Sequence, residues 1–529
     1  FNSTTANKLL VLIDGRSSYT PLFSGVFWDV QDTFIEDIER IEVISGPGGT
    51  LWGANAVNGV INVITRSARD TAGGLVSVAA GSDERNVGAR WGGKLGDNAN
   101  FRAYAKGFER DSTLRARGGS ARDDFKNAQI GFRIDGGPVG NSFTVQGDSY
   151  DGSTDQTRPG RVQVAGTNLL ARWNRTLDDG STLQLQTYFD HTQRDYPGQF
   201  AETLNTFDAE AQHSFTRGAH QLLWGGGYRG SRDSVGNSAL LAFLPARQRL
   251  NLANVFAQDT VALGERLRLT LGAKLEHNNY TGMEFQPNAR LAWQLTEQSL
   301  LWSSLSRAVR TPSRLDRELY AFLPANPSIV TLAGGPNFES EKLTALEIGY
   351  RAQPSPRLSY SVTAYRHKYD DLRSVEGLLP SVIANMMEGT THGLELWGSW
   401  QATDWWRVSA GLNTLHKDLR FKPGSTDTRL QGAGNDPKHQ VTLRSSMNIG
   451  ARGEFDVNLR SVGALPNPAI PSYVALDLRL GWDVSKDVEL SLTGFNLLDR
   501  SRPEFGSATG TSPRGEVPRS FLVKLLWKI

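Results

Sequence analysis

The 529-residue sequence contains no cysteine, so it forms no disulfides and offers no thiolate metal ligands. Long apolar runs are absent as well, since no segment approaches the roughly 18 consecutive apolar residues of a membrane-spanning helix. An excess of one charge is also missing, because 57 Lys and Arg residues balance 55 Asp and Glu residues to a net charge of +2. These absences exclude a disulfide framework and a helical membrane protein, and they predict no nucleic-acid partner.

Motifs for nucleotide binding and catalysis are lacking too. The glycine-rich stretch from Gly46 to Gly59 fails as a phosphate-binding loop, because Ala54 and Asn55 follow Gly53 where that loop needs Lys and Ser or Thr. The eight histidines include no pair spaced i, i+4 and no His-x-His, and no Gly-x-Ser-x-Gly elbow supplies a serine nucleophile. We therefore predict that the protein is not an enzyme and carries no metal site and no cofactor.

Short runs of alternating polarity fill the chain from about residue 73 onward, separated by clusters of Gly, Asp, Asn, Ser and Pro. The stretch 455–462 is typical, since Phe, Val, Leu and Ser alternate with Asp, Asn, Arg and Val. Alternation with period two predicts β-strands that have one apolar and one polar face.

The connections between these runs are of two kinds that alternate along the chain. Short connections such as 178–181 and 355–357 alternate with long ones such as 109–125 and 311–342. Short turns on one side and long loops on the other are typical of a transmembrane β-barrel. Counting the runs predicts about 22 strands with 11 outer connections and 10 turns, and barrels of that width are plugged transporters.

The final run, residues 520–529, shows the barrel pattern most clearly. Phe521, Val523, Leu525, Trp527 and Ile529 form an unbroken apolar face. A half-buried strand of a soluble all-β binding protein has the same pattern, so that alternative stays open for one strand alone. About 20 such runs without helical segments favour the membrane barrel.

The segment before the barrel resembles the plug of TonB-dependent outer-membrane receptors. The resemblance extends over the whole chain and depends on LVLIDGR at 10–16, IERIEVISGP at 38–47, LWGANAVNGVINVIT at 51–65, SRAVRTP at 306–312, NFESE at 337–341, EIGY at 347–350, GLE at 393–395 and FNLLD at 495–499.

The resemblance implies an all-β membrane protein, a 22-stranded antiparallel barrel with an N-terminal plug inside the lumen. Residues 1–72 are expected to be the C-terminal part of the plug and residues 73–529 the barrel, because the family's plug is about twice as long. The N-terminal box that contacts TonB and its inner-membrane energy complex is then not present in this chain. The implied location is the bacterial outer membrane, where a monomer contacts lipid and is inserted by the barrel-assembly machinery. Phe521, Trp527 and Ile529 would form the assembly signal, although the family usually ends in an aromatic residue.

The resemblance also implies where a ligand binds and how the plug is held. The family's plug loop between Arg16 and Ile38 lies near the outer face, so ligand contact is expected from its aromatic residues and from one on the long outer connection 311–342: Tyr19, Phe23, Phe27, Trp28 and Tyr320. Aromatic rings suit a planar chelate or macrocycle, but the same rings also serve to pack a plug against a wall. A plug–barrel ionic lock is expected between Arg40 and Glu341 or Glu347, with Glu395 as a further barrel carboxylate. Solvated strand charges are the alternative.

The implied function is TonB-dependent import of a scarce metal chelate, with a ferric siderophore as the expected ligand by family frequency. Haem is disfavoured because residues 311–342 contain Tyr320 but no histidine. Cobalamin uptake is an alternative, for which Asp111, Asp123 and Asp124 are a thin version of the family's calcium-binding loops. A non-transporting outer-membrane receptor is the remaining alternative.

Overall fold

A closed β-barrel surrounds the amino-terminal residues of the protein. The computed structural model describes residues 6–158, 160–430, 435–508 and 514–529. Within these residues, 22 antiparallel strands close into one barrel, which confirms the predicted strand number. The strands of the barrel wall are Gly73–Gly81, Glu84–Leu95, Ala99–Arg110, Phe125–Gly136, Asn141–Thr154, Val162–Thr176, Thr182–Tyr196, Phe200–Arg217, His220–Gly236, Arg247–Ala262, Leu267–Asn278, Gly282–Thr296, Ser299–Arg310, Glu341–Ser355, Leu358–Glu376, Ser381–Thr403, Trp406–Thr414 with its continuation His416–Phe421, His439–Ile449, Gly453–Val462, Tyr473–Asp483, Val488–Phe495 and Ser520–Lys528.

The connections at one end of the barrel are all short, such as residues 297–298 and 356–357. The other end carries the long connections, such as 311–340, as the sequence predicts, together with short ones such as 82–83 and 279–281. Short strands within the long connections are Leu114–Arg115, Leu241–Phe243, Leu319–Leu323, Asn326–Ala333, Leu465–Pro466, Ala469–Ile470, Ser501–Arg502 and Gly515–Pro518. The long connections therefore fold into structure of their own above the wall.

A four-stranded sheet forms the centre of the plug inside the barrel. Its order is β2–β1–β6–β5, with β1 and β6 parallel and the other pairs antiparallel. The plug elements are β1 (Leu9–Ile13), β2 (Arg16–Ser17), β3 (Tyr19–Thr20), β4 (Gly25–Val26), β5 (Ile38–Ser45), β6 (Gly59–Thr65), the short helix α1 (Gly49–Trp52) and the 3-10 turns Trp28–Val30, Ile35–Asp37 and Arg69–Thr71. The glycine-rich segment that leads into α1 therefore connects two strands of the plug sheet, β5 and β6.

The outward face of the barrel carries an apolar band with an aromatic edge. Six tryptophans, each about half exposed, lie within four residues of the turn-side ends of their strands: Trp91, Trp224, Trp293, Trp400, Trp482 and Trp527. Tryptophan collects at membrane–water interfaces because its ring is apolar and its N–H is polar. This row therefore marks the level of the turn-side membrane interface. Within the described ranges, no helix is long and apolar enough to cross a membrane.

The last strand closes the barrel onto the first. Leu522 to Lys528 pair antiparallel with residues 75–81, and Ile529 and Gly74 exchange two backbone hydrogen bonds of 2.8 and 2.9 Å. The predicted apolar face of this strand points outward, with Phe521, Trp527 and Ile529 about half exposed. Their role as an assembly signal stays a prediction.

Candidate functional site

An elongated cavity of about 660 Å³ separates the plug from one part of the barrel wall. All six even-numbered residues from Glu202 to Gln212 line it, so it follows strand Phe200–Arg217 for ten residues. At about 3.3 Å per residue this is roughly 33 Å of strand. The cavity therefore extends from near the outer loops toward the turn side.

The plug loop of residues 17–30 forms the outer part of this cavity, but its aromatic residues have different surroundings. Tyr19 and Phe27 line the cavity, and burial raises the pKa of Tyr19 to about 12. Phe23 instead packs in an apolar cluster with Leu22 and Phe243 and is only 5% exposed. Of the predicted ligand contacts in the plug, Tyr19 and Phe27 therefore reach the cavity, whereas Phe23 is a packing residue.

The two remaining predicted aromatic contacts lie elsewhere. Trp28 lines a second cavity, of about 1030 Å³, and is 52% exposed. That cavity borders apolar residues of the plug sheet, which include Ile41 and Val43. Tyr320 lies on the short outer strand Leu319–Leu323 and pairs with Ala242 and Ala333. The structure therefore does not bring Trp28 or Tyr320 to the first cavity.

Ion pairs bridge the first cavity from plug to wall. Arg16 on β2 donates to Asp190 at 2.8 Å. Arg194 donates to both oxygens of Asp29, at 2.6 and 2.9 Å, and its guanidinium carbon lies 3.9 Å from the centroid of the Phe27 ring. A bidentate arginine–carboxylate pair is short, directional and strong. Arg194 is thus held between a plug carboxylate and a plug ring at the outer part of the cavity.

Further bridges lie deeper along the same wall. Lys106 donates to Asp32 at 2.6 Å. Asp37, which is 1% exposed, is approached by Arg90 and Arg102 from two neighbouring strands. Asp29, Asp32 and Asp37 of the plug therefore each have a basic partner on the wall.

The long outer connection of residues 311–340 folds inward onto the plug. Its helix α2 (Arg314–Glu318) begins with a capping box in which Ser313 and Asp316 bond each other's backbone N–H. The backbone N–H groups of Arg314 and Leu315 donate to plug carbonyls at 3.0 and 2.8 Å. The outer loop and the plug loop are therefore joined through their backbones.

Two fully buried arginines hold this connection in place. Arg310 pairs with Asp316 at 2.7 Å and with Glu341, and Arg314 pairs with Asp233 at 2.9 Å and Glu318 at 2.6 Å. Burial alone would raise the pKa of Asp316, but the nearby charges of Arg310 and Arg373 hold that pKa below its usual value. Sequence reasoning did not single out either arginine, although both lie in or next to the SRAVRTP stretch.

The predicted lock between Arg40 and a barrel glutamate is not formed. Arg40 is about half exposed and pairs with Glu39 and Glu42 of its own strand. The backbone that lies against Glu347 is that of Gly46, directly after β5. The contact is so close that a Cβ added to Gly46 would overlap the Glu347 carboxylate. Arg40 lies six residues earlier, about 20 Å away along an extended strand, so its side chain does not reach that wall.

A lysine takes the place predicted for Arg40 at one of the three glutamates. Lys8 of the plug pairs with Glu341 at 2.7 Å, in a site that also holds Arg310. Burial lowers the pKa of Lys8, and the charge of Glu341 opposes that shift. The Ser304 hydroxyl donates to Glu347, and the Asn413 amide donates to Glu395. Of the three predicted lock glutamates, Glu341 therefore pairs with a cation of the plug, whereas Glu347 and Glu395 accept these hydrogen bonds from barrel residues.

The opposite side of the plug packs directly on the wall. The Asn55 N–H donates to the Val309 carbonyl at 2.8 Å, and Val57 joins an apolar cluster with Leu343 and Ala345. At Gly53, whose φ is +82°, an added Cβ would come 2.7 Å from the Glu276 carboxylate. Glycine therefore allows a close approach of plug and wall here.

Two family models match the chain and together account for most of it. The model described as "TonB dependent receptor-like, beta-barrel" matches residues 77–497, and the "TonB-dependent Receptor Plug Domain" model matches residues 1–60. The two matches correspond to the barrel and the plug of the structure.

The individual relatives differ in what their names state about a ligand. The iron-regulated outer membrane virulence protein of Vibrio cholerae is 23% identical over 94% of this chain and 82% of its own length. The vitamin B12 transporter BtuB of Vibrio vulnificus is 26% identical over 92% of this chain and 79% of its own. A mutant ferric enterobactin receptor of Pseudomonas aeruginosa, solved with enterobactin, superposes with a TM-score of 0.82 at 16% identity and covers 99% of this chain and 92% of that one. At this identity the structural likeness shows the fold alone.

Proposed function

The chain belongs to the TonB-dependent outer-membrane receptors, and on that premise we propose that it imports a ferric siderophore across the bacterial outer membrane. Residues 1–72 then act as the plug and residues 73–529 as the transport barrel, with energy supplied through TonB and its inner-membrane complex. The observation that carries this proposal is the cavity beside the plug, whose lining combines aromatic rings with arginines.

The size and chemistry of the cavity support a chelate as cargo. About 660 Å³ lies in the range of small-molecule sites. Tyr19 and Phe27 offer ring faces, and Arg16 and Arg194 offer charge, each already engaged by a single carboxylate. An anionic ligand with flat donor groups would contact both kinds of side chain.

The plug loop is the part of the molecule best placed to report an arriving ligand. It lines the cavity through Tyr19 and Phe27 and bonds the backbone of α2 through the carbonyls of residues 21 and 22. A ligand that displaces Asp29 from Arg194 would disturb this loop. Binding at the outer part of the cavity would therefore change the contacts of both the outer connection and the plug.

A titration panel tests the cargo. The purified protein in detergent would be titrated calorimetrically with a ferric catecholate siderophore, a ferric hydroxamate siderophore, haem and cobalamin. We expect binding to one of the ferric siderophores, and tight binding to cobalamin alone would replace the proposal by cobalamin uptake. Binding to none of the iron chelates would refute it.

A cell assay tests transport itself. Cells that express the full-length gene would be supplied with the bound chelate, with and without a functional TonB. We expect uptake that is lost without TonB, while binding at the cell surface remains. Binding without TonB-dependent uptake would mark a non-transporting receptor instead.

A further inference from the structure

Three arginines on the outside of the barrel have no acidic partner. Arg232 lies on strand His220–Gly236, and Arg247 and Arg249 lie on the neighbouring strand Arg247–Ala262. All three are exposed, and within the described parts of the chain none of the three guanidinium groups has an ion-pair partner. We call them the outer arginine patch.

The side chains of the patch point away from the lumen. On the two strands, the neighbouring residues of opposite parity, Ser231, Asp233, Gln248 and Leu250, face inward, since they line the cavity or bond α2. Because successive residues of a strand point to opposite faces, Arg232, Arg247 and Arg249 share the outward face with Tyr228 and Val255.

The register places two of these charges directly against each other. Arg232 is the cross-strand partner of Arg249, and Arg247 is the partner of Ser234, two pairs further out and the next pair on the same face. Opposed residues of this kind have Cβ atoms about 4.5 to 5.5 Å apart, and like charges there destabilise a sheet. An external anion would remove that cost.

The neighbours along the same rows supply hydrogen-bonding groups but no acid. Asn205 is the partner of Arg232 on the other side, and His191 is the partner of Asn205, to which it bonds at 2.8 Å. Elsewhere on the outer half of the wall, Lys126 pairs with Glu109 at 2.8 Å and Arg420 with Glu388 at 2.7 Å. The exposed Arg366 and Lys368 form no ion pair within the described residues, but their cross-strand partners are Leu346, His392, Thr344 and Thr390. The patch differs from both arrangements because two of its arginines are directly opposed.

The height of the patch matches the outer edge of the apolar band. Arg232 lies eight residues from Trp224, which belongs to the turn-side tryptophan row. Eight residues span about 26 Å of strand, or roughly 20 Å of height at the usual tilt of a membrane barrel, whose apolar band is about 25 Å tall. Arg232 and Arg249 therefore lie about 5 Å below the outer edge of such a band, a distance that an arginine side chain spans toward the lipid headgroups. Arg247 lies nearer to that edge.

We propose that the outer arginine patch binds the phosphate of a phosphorylated lipid headgroup in the outer leaflet of the outer membrane. Arginine suits this ligand because its planar fork bonds phosphate oxygens in pairs and is only weakly hydrated. Basic clusters beside a membrane-embedded surface are a general means of holding anionic lipid. One lipid phosphate would neutralise the opposed arginines while its acyl chains lie against the apolar band below.

Lipid retention tests the proposal. Wild type, the double variant Arg232→Gln/Arg249→Gln and the control Lys126→Gln would be purified from outer membranes in a mild detergent. Native mass spectrometry would then count bound lipid A, the phosphorylated glycolipid used as probe. We expect at least a fivefold loss of bound lipid A in the double variant and no change in the control. Equal retention in all three proteins would overturn the proposal.

Thermal unfolding with added ligands identifies the source of the phosphate. Lipid A should raise the unfolding temperature of the lipid-free wild type, and dephosphorylated lipid A or inorganic phosphate at the same concentration should not. Without lipid, the double variant should unfold at the same temperature as wild type or higher, because the repulsion between the arginines is gone. An equal shift with inorganic phosphate, or with dephosphorylated lipid, would overturn the assignment to a lipid phosphate.

Discussion

The plug meets two parts of the barrel wall in different ways. Against the strands between residues 267 and 376 it packs directly, with an apolar cluster around Val57 and a backbone hydrogen bond from Asn55 to Val309. Against the strands between residues 99 and 262 it stands across a cavity, bridged by ion pairs such as Arg16–Asp190. Direct apolar contact on that side includes a cluster of Val30 with Phe125, Val162 and Val164 at the outer ends of the strands. We call the first the packed wall and the second the bridged wall.

The contacts at the two walls differ in how easily they can separate. Apolar contacts and buried backbone bonds have no substitute partner when they open, so separating the packed wall exposes apolar surface and unpaired polar groups. Ion pairs beside a polar cavity can exchange their partners for water or for a charged ligand. We therefore expect the plug to move away from the bridged wall first and to keep its contact with the packed wall.

Cross-linking is expected to give the largest effect, because it blocks one movement completely. The natural chain has no cysteine, so Arg16→Cys/Asp190→Cys would link the plug to the bridged wall, and Asn58→Cys/Tyr369→Cys to the packed wall. In the protein, the paired side chains contact at 2.8 Å in both places. With a reducible bifunctional thiol reagent, uptake should fall more than tenfold for the bridged-wall link and remain for the packed-wall link.

Reducing the reagent is the control for this comparison, since it must restore uptake in the bridged-wall variant. If the packed-wall link stops uptake and the bridged-wall link does not, the assignment of the two walls is reversed. If both links leave uptake intact, neither wall separates during transport.

Loss of a buried charge should give the next largest effect. Glu341→Gln would leave Arg310 and Lys8 with one carboxylate fewer, in a site where the side chains of Arg310 and Glu341 are buried. Breaking such a buried arrangement typically costs about 3 to 5 kcal/mol. The free energy of unfolding by urea and the protease resistance of the plug would measure the loss.

The matched control is Glu339→Gln, two residues earlier. Glu339 is exposed and lies 3.6 Å from Lys342, so its removal should cost less than about 1 kcal/mol. Equal effects of the two variants would contradict a buried lock at Glu341.

Substitution of two phenylalanines that lie four residues apart, Phe23 and Phe27, distinguishes a packing role from a ligand-contact role. Phe27→Ala removes a ring that lines the cavity, and we expect the dissociation constant of the bound chelate to rise roughly 10- to 150-fold, the equivalent of about 1.5 to 3 kcal/mol. Phe23→Ala removes a buried ring, so it should lower stability by about 3 to 5 kcal/mol and change the affinity less. Calorimetry and urea unfolding on both variants would show whether the two effects separate in this way.

The smallest expected effect is a pH dependence of the outer connection. The pKa of Asp316 is lowered in the folded protein by Arg310 and Arg373. A lowered folded-state pKa means that the stabilisation is fully present above the unfolded value of about 4 and is lost as the pH falls through the folded value. The protection of residues 314–318 against hydrogen exchange, measured relative to the intrinsic exchange rate at each pH, should therefore fall in acid below pH 4, and Asp316→Asn should remove that dependence.

The sequence predicts the barrel well because the relevant signals are local. Period-two alternation and turn residues identify strands one at a time, and the contrast between connections such as 356–357 and 311–340 assigns the two ends. The absence of a phosphate-binding loop around Gly46 and Gly53 is also predictable from the sequence, because that motif is defined by residues next to each other in the chain. The strand number and the sidedness of the connections are confirmed for these reasons.

The charged contacts were not predictable in the same way. Lys8 and Glu341 lie more than 300 residues apart, and Arg16 and Asp190 more than 170. No local pattern specifies which lumen-facing base meets which plug acid, so Arg40 was assigned to a glutamate that Lys8 occupies. Phe23 and Phe27 look alike in the sequence, and only the direction of the loop decides which one faces the cavity.

The hydrogen bonds between Gly74 and Ile529 also constrain the folding pathway. The seam that they close joins the first and last strands of the wall, so a barrel of this connectivity has a very high contact order and cannot be completed while the chain is still being synthesised. Since the plug lies inside the lumen, the ring must close around it or admit it afterwards through an end. Time-resolved protection of the seam and of β6 during insertion would show which event comes first.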